Sequence, residues 1–136
     1  MEGVETLSMN DCLGLIAGRS LGRVAYTERA LPAIWPVRYA LVGSHLVLCT
    51  HHDGLAERLD GQIVAFEIDD ADAEGEYAWI VVVTGTASNL PEPSELHGQG
   101  DVPLAPRAGP GNVTAVRITP GDVRGCRILR TPVTAV

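Results

Sequence analysis

The sequence predicts a mainly β protein, a closed antiparallel barrel with short flanking helices, and three observations carry that reading. From residue 22 onward apolar residues recur with period two, the alternation of strands rather than of helices. The alternating segments are short and are joined by tight turns, "ERALP" and "VGSH" among them. Helical periodicity is confined to one stretch near the N-terminus and one after the third strand, so the βαβ alternation of a doubly wound sheet is missing. A chain of 136 residues is the size of one domain, spanning 1–136, and can bury a core without disulfides or metal.

Each element has its own warrant. In "SMNDCLGLIAGRSLG", Met9, Cys12, Leu13 and Ile16 fall at i, i+3, i+4 and i+7, one apolar helical stripe. Ser8 is placed to cap the first turn, with Asp11 at the box position, and Gly18 to stop the helix. Strands follow at 22–27 ("GRVAYT"), 33–41 ("AIWPVRYAL") and 45–50 ("HLVLCT"). Pro36 lacks a ladder N–H, so an edge, a bulge or a ligand is expected beside it. A short helix is expected at 53–59 and a fourth strand at 62–69. The fifth strand, "YAWIVVVTGTASNL", is apolar on both faces at its centre and reads as buried on both sides. Residues 90–112 are a long Pro- and Gly-rich loop, and "VTAVRITP" and "RGCRILRTPV" read as two closing strands.

Composition excludes several functions. Net charge is −7, with ten basic against seventeen acidic residues, which argues against nucleic acid and against an anionic membrane surface. Every basic residue is arginine, so Schiff-base chemistry is excluded and any phosphate must be held by Arg, hydroxyls or backbone N–H groups. Cys12, Cys49 and Cys126 are few and far apart, without a disulfide or zinc pattern. They suit a reducing cytoplasm, with Cys49 a small buried hydrophobe. The opening "MEGVETLSMNDC" is acidic and does not read as a signal peptide, and "WIVVV" is too short to span a bilayer. "GRS" and "VGSH" lack the nucleophile-elbow pattern, and "EIDDADAEGE" reads as a solvated acidic loop.

"LCTHHDGLAERL" has the densest concentration of polar chemistry. His51 and His52 admit three readings: metal ligands, exposed turn residues, or the lining of an anion site. No third ligand at metal spacing follows, since His45 and His97 are distant. Thr50 offers a hydroxyl, the start of the following helix offers free N–H groups, and Arg58 lies one turn in, able to reach back.

The order and spacing of "LGRVAYT", "LPAIWPVRYALVGSHLVLCT", "AFEIDDAD", "WIVVVTGTAS" and "AVRITPGDVRGCRIL" resemble the pyridoxamine 5'-phosphate oxidase-like, FMN-binding split-barrel proteins, actinobacterial members above all. The resemblance implies a six-stranded Greek-key split barrel, a homodimer, and FMN in clefts between subunits. It implies a flavin-dependent oxidoreductase acting on a small molecule, with deazaflavin or haem as alternative occupants. Trp35, Pro36, Val37, Arg38 and Tyr39 would line the flavin ring. Thr50, His51, His52, Gly54 and Arg58 would hold the phosphate, and the Trp79 strand would contribute to the cleft or the dimer face. The chain also departs from the family pattern. Gly54 and Leu55 stand where the family has Ser and Lys, Asp53 adds a negative charge, Arg38 replaces an Asn, and Pro106–Arg107 replaces a late Pro-Trp. A cofactor-free or ligand-sequestering split barrel is therefore the second reading, and a pyridoxine-phosphate oxidase proper the third.

Overall fold

The computed structural model describes residues 3–52, 54–72, 74–90 and 114–130. The chain runs β1 (Val4–Thr6), α1 (Met9–Ala17), β2 (Leu21–Glu28), β3 (Leu31–Val42), β4 (His45–Thr50), α2 (Leu55–Leu59), β5 (Ile63–Ala71), β6 (Tyr77–Leu90) and β7 (Thr114–Leu129). Ser8 caps α1 as expected, its Oγ accepting the Asp11 N–H at 3.1 Å, and Gly18 ends the helix. Of the predicted stripe only Cys12 and Ile16 reach the core, while Met9 and Leu13 stay exposed. A side chain at Gly125 of β7 would collide with the Cys12 sulfur, so a glycine lets the helix settle this closely.

The hairpins form as the turn chemistry dictates. β2 and β3 pair from Glu28↔Leu31 to Leu21↔Arg38 around a two-residue turn in which Arg29 and Ala30 have φ of 52° and 62°. Positive φ at both positions matches the right-handed twist of the strands, although neither residue is the glycine that adopts it without strain. β3 and β4 turn on Gly43, φ 61°, and pair from Val42↔His45 to Arg38↔Cys49.

The sheet order is β7–β4–β3–β2–β5–β6, and β6 pairs again with β7, closing a six-stranded antiparallel ring. β1 adds a short seventh strand on the far end of β7, at Val4↔Ile128 through Thr6↔Cys126. The closing segment differs from expectation. It is one strand of 16 residues rather than two. Thr84 pairs with Asp122 and Gly85 with Pro120, so Gly121 is the extra residue of a bulge that bends the strand. Pro120–Gly121 carries a turn signature, but the continuous β6 ladder on both sides of it keeps the chain extended.

Alternating side chains fill the ring, with Val24, Tyr39, Leu48, Phe66, Val81 and Ile118 almost wholly buried. Tyr39 and Phe66 meet edge to face at 5.0 Å between ring centroids. β6 corrects a second expectation. Val81, Val83 and Ala87 are buried, but Ile80, Val82 and Thr84 on the other face are only half-buried. Cys49 is also half-buried rather than buried. Leu90 ends β6; the rest of the 90–112 loop, with His97 and Pro106–Arg107, lies outside the described residues, as does Asp53.

Candidate functional site

The β3–β4 ladder stops at Arg38↔Cys49; Thr50 still pairs with Thr114 of β7, and the chain then leaves the sheet through His51 and His52. Trp35 points to the same side of β3 as Val37 and Tyr39, yet it lies past the end of that ladder and stays 40% exposed. His52 stands edge-on to it, 4.4 Å between ring centroids. Thr50 is buried, and its Oγ1 accepts the His52 N–H at 2.9 Å, an acceptor role that leaves the hydroxyl proton to donate. His51 is exposed beside them.

Gly54 adopts φ 80° at the start of α2. Over it lies the Arg58 guanidinium, with Nη2 3.4 Å from where a Cβ on Gly54 would sit. Arg58 thus reaches back onto the turn as its spacing suggested. Its Nη1 donates to Glu28 Oε1 at 2.7 Å. Gln62 fixes both partners. Its Nε2 donates to the carbonyls of Arg58 (2.6 Å) and Thr27 (3.0 Å), and its Oε1 accepts the Thr27 N–H at 3.2 Å. The expected row of outward N–H groups at the helix start is reduced. α2 has five residues, and the Leu55 N–H closes on the His52 carbonyl at 3.2 Å. Leu55, at the position of the family lysine, is fully buried.

The remaining candidates lie elsewhere, because neighbouring strand residues face opposite sides. The Val37 and Tyr39 side chains belong to the core. The Tyr39 hydroxyl donates to the Ile16 carbonyl at 2.5 Å, and burial pushes its phenol up to about 12 against the pull of Arg19. Pro36 and Arg38 are on the outer face, where Arg38 Nη1 donates to Ser20 Oγ at 3.3 Å. Pro36 lines an outer cleft of about 330 Å³ between the Arg19–Asp70 and Arg23–Asp69 ion pairs. Trp79 sits at the α1 end, with the Arg19 guanidinium 5.5 Å above its ring. The turn residues and Trp35 therefore come together, and Arg38 and Trp79 do not join them within one chain.

The outer face carries one more titratable cluster. Arg23 Nη1 lies 3.2 Å from Glu67 and 2.8 Å from Asp69. Burial and then the neighbouring Asp69 push the Glu67 carboxyl up to about 7, with Arg23 opposing. Glu67 Oε1 is buried without a hydrogen-bond partner among the described residues. Sequence reasoning missed Glu28 and Gln62. Glu28 is 30 residues from Arg58 and read as part of a turn, and no local period announces a pair that only ring closure creates.

A flavin phosphate and ring edge ask for a cation, a hydroxyl and an aromatic wall, and Arg58, Thr50 and the Trp35–His52 pair supply that set at the turn. Six antiparallel strands closed into a ring, with β3 and β4 released from each other beside this turn, define a split-barrel protein. The pyridoxamine 5'-phosphate oxidase family model matches residues 8–133, and the chain belongs to that family. It is 34% identical over 138 residues to protein Rv0080 of Mycobacterium tuberculosis, itself uncharacterized, covering 95% of this chain and 90% of that one. Among solved structures it resembles the FAD-binding protein from Mycobacterium smegmatis at TM-score 0.78 and 26% identity, covering 93% of this chain and 100% of that one. It also shares its fold with the FAD- and heme-binding protein from the same species, at TM-score 0.67 and 17% identity, covering 98% of this chain and 77% of that one. Among the described residues no helix is long and apolar enough to cross a membrane.

Proposed function

We propose that this chain is a flavin-binding protein, FMN being the simplest occupant, that works as a cytoplasmic flavin-dependent oxidoreductase on a small molecule. The observation that carries the reading is the Arg58 guanidinium folded back over Gly54, in the same short turn as the Thr50 hydroxyl and as His52, which meets the exposed Trp35 ring. Arg58 and Thr50 would hold the phosphate, and Trp35 would flank the ring. The bound flavin would supply hydride or electron transfer, and the protein the slot that orients it and excludes water. Family membership and the FAD-binding relative support the same reading.

A homodimer completes the proposal. Ile34, Ala25 and Ala65 align across β3, β2 and β5 on the outer face, with Ile34 66% and the nearby Ile63 74% exposed. A second copy would cover this face and bring Arg38 or Trp79 of one subunit toward the turn of the other. Sedimentation at micromolar concentration should give a species of twice 14.4 kDa, and a monomer throughout would sink the two-subunit cleft.

The second reading, a split barrel that sequesters a ligand without a flavin, draws on Gly54 and buried Leu55 at the family's Ser and Lys positions. Titrating FMN, FAD, deazaflavin and haem against one purified sample separates the two. Saturable binding of a flavin with a raised melting temperature supports the first reading, and a colourless protein that none of them stabilises supports the second.

A further inference from the structure

Glu67 stands in a row that crosses the outer face of the barrel. Pro36 on β3, Arg23 on β2, Glu67 on β5 and Val82 on β6 are successive register partners. The next row carries no charge: Ile34, Ala25, Ala65 and Thr84. Ile34 and Ile63, two residues from Ala65 on the same face, are largely exposed. Charges face Glu67 from two strands. Arg23 reaches it from β2, and Asp69 flanks it on β5 and takes the same Arg23 Nη1. β6 presents only Val82 opposite it, with Ile80 and Thr84 to either side, and the next position of the row, Arg124 on β7, is paired with Asp122. One guanidinium therefore serves two carboxylates, and the patch holds one negative charge too many. Glu67 Oε1, buried and without a hydrogen-bond partner among the described residues, is the oxygen that ionisation leaves uncompensated.

We infer that the outer face around Glu67 is a proton-linked self-association surface, which a second copy of this chain covers when the Glu67 carboxyl carries a proton and leaves when it ionises. This rests on the homodimer reading. A two-fold contact needs a face that is its own complement. With Glu67 protonated, the face offers Ile34, Ala25 and Ala65 beside a balanced Arg23–Asp69 pair. With Glu67 ionised, two uncompensated carboxylates meet across the contact, between chains that each carry a net charge of −7. Burial and then Asp69 already push the carboxyl up to about 7 in the single chain, and a second copy takes it further out of water. The associated state thus holds the proton to higher pH than the free chain does, and association takes up as many as two protons per dimer. The dissociation constant should be flat below pH 7 and rise above it by as much as about a hundredfold per pH unit.

The test is analytical ultracentrifugation of the full chain over a concentration series between pH 6 and pH 9 at constant ionic strength, on wild type, Glu67→Gln and Ile34→Asp. Wild type should dissociate about tenfold or more readily at pH 8.5 than at pH 6.5. Glu67→Gln, uncharged at every pH, should keep the low-pH dissociation constant of wild type across the range. Ile34→Asp should abolish association throughout. Melting curves confirm that each variant is folded; if Glu67→Gln is not, Glu67→Leu replaces it. A wild-type dissociation constant that does not move with pH, or a Glu67→Gln that moves as much as wild type, would overturn the inference. Tighter association at high pH would overturn it too, giving an ionised Glu67 to an arginine of the second copy. Association that survives Ile34→Asp puts the second copy on another face, which removes this inference and leaves the dimer reading standing. Wild type that stays monomeric at every pH and concentration removes both.

Discussion

At the α1 end of the barrel Cys12, Ile16 and Tyr39 are at most 2% exposed, the Tyr39 hydroxyl is spent on the Ile16 carbonyl, and Arg19 is spent on Asp70 and the Trp79 ring. At the turn end Trp35 keeps 40% of its surface, His51 is exposed, and Arg58 Nη2 lies over a glycine. The same strands run between the two ends. One end closes with matched apolar volume and internal hydrogen bonds, and the other leaves an aromatic edge and the Arg58 guanidinium, paired through Nη1 with Glu28, partly solvated. The contrast teaches that changes at the first end should act on stability and changes at the second on binding.

Ile16→Ala should have the largest effect, costing about 2–5 kcal/mol because the cavity opens in packed core. A urea titration would show the lowered midpoint, with flavin affinity of the folded fraction unchanged. A loss of flavin affinity without a loss of stability would break the comparison. Tyr39→Phe comes next, at about 0.5–1.5 kcal/mol for one lost buried hydrogen bond, since the Arg19 N–H still reaches the Ile16 carbonyl at 3.4 Å. It also carries a pH signature. The folded-state phenol has its pKa raised from 10 to about 12, so the stability it contributes is present in full below pH 10 and is lost as pH rises through 12. Thermal melts across that window should show wild type falling more steeply than the phenylalanine variant.

Ala30→Gly acts near Glu28 and should stabilise by about 1 kcal/mol, since φ 62° is strained for alanine and free for glycine. Equilibrium unfolding measures it, and a destabilised variant would show that the turn relies on its alanine. Trp35→Ala should act more on binding than on stability, because 40% of the side chain is solvated at the turn. Flavin affinity should fall, as titration would show. A strongly destabilised Trp35 variant with normal affinity would assign that tryptophan to the core and blur the difference between the two ends.

Much of this could be read without coordinates, and what could be read was local. The Ser8 cap and Gly18 stop of α1 act within a few residues, as do the period-two strands and both hairpins. The candidate turn was legible for the same reason, because Thr50, Gly54 and Arg58 are neighbours along the chain. The misreadings came where distant ladders overrule local chemistry. Pro120–Gly121 looks like a turn, but β6 pairs on both sides of it and makes it a bulge.

The sequence by itself determined the class of fold, the helix and its caps, and the place of the polar turn, because periodicity, capping and spacing express energies between residues close along the chain. Only the tertiary structure decided that β6 and β7 close the ring, that Trp35 escapes burial while Val37 and Tyr39 do not, and that Glu28 meets Arg58 across 30 residues. Those contacts depend on where a ladder ends and which strands become neighbours. Closing the ring decides that through the burial of all the strands together, and no single segment encodes it.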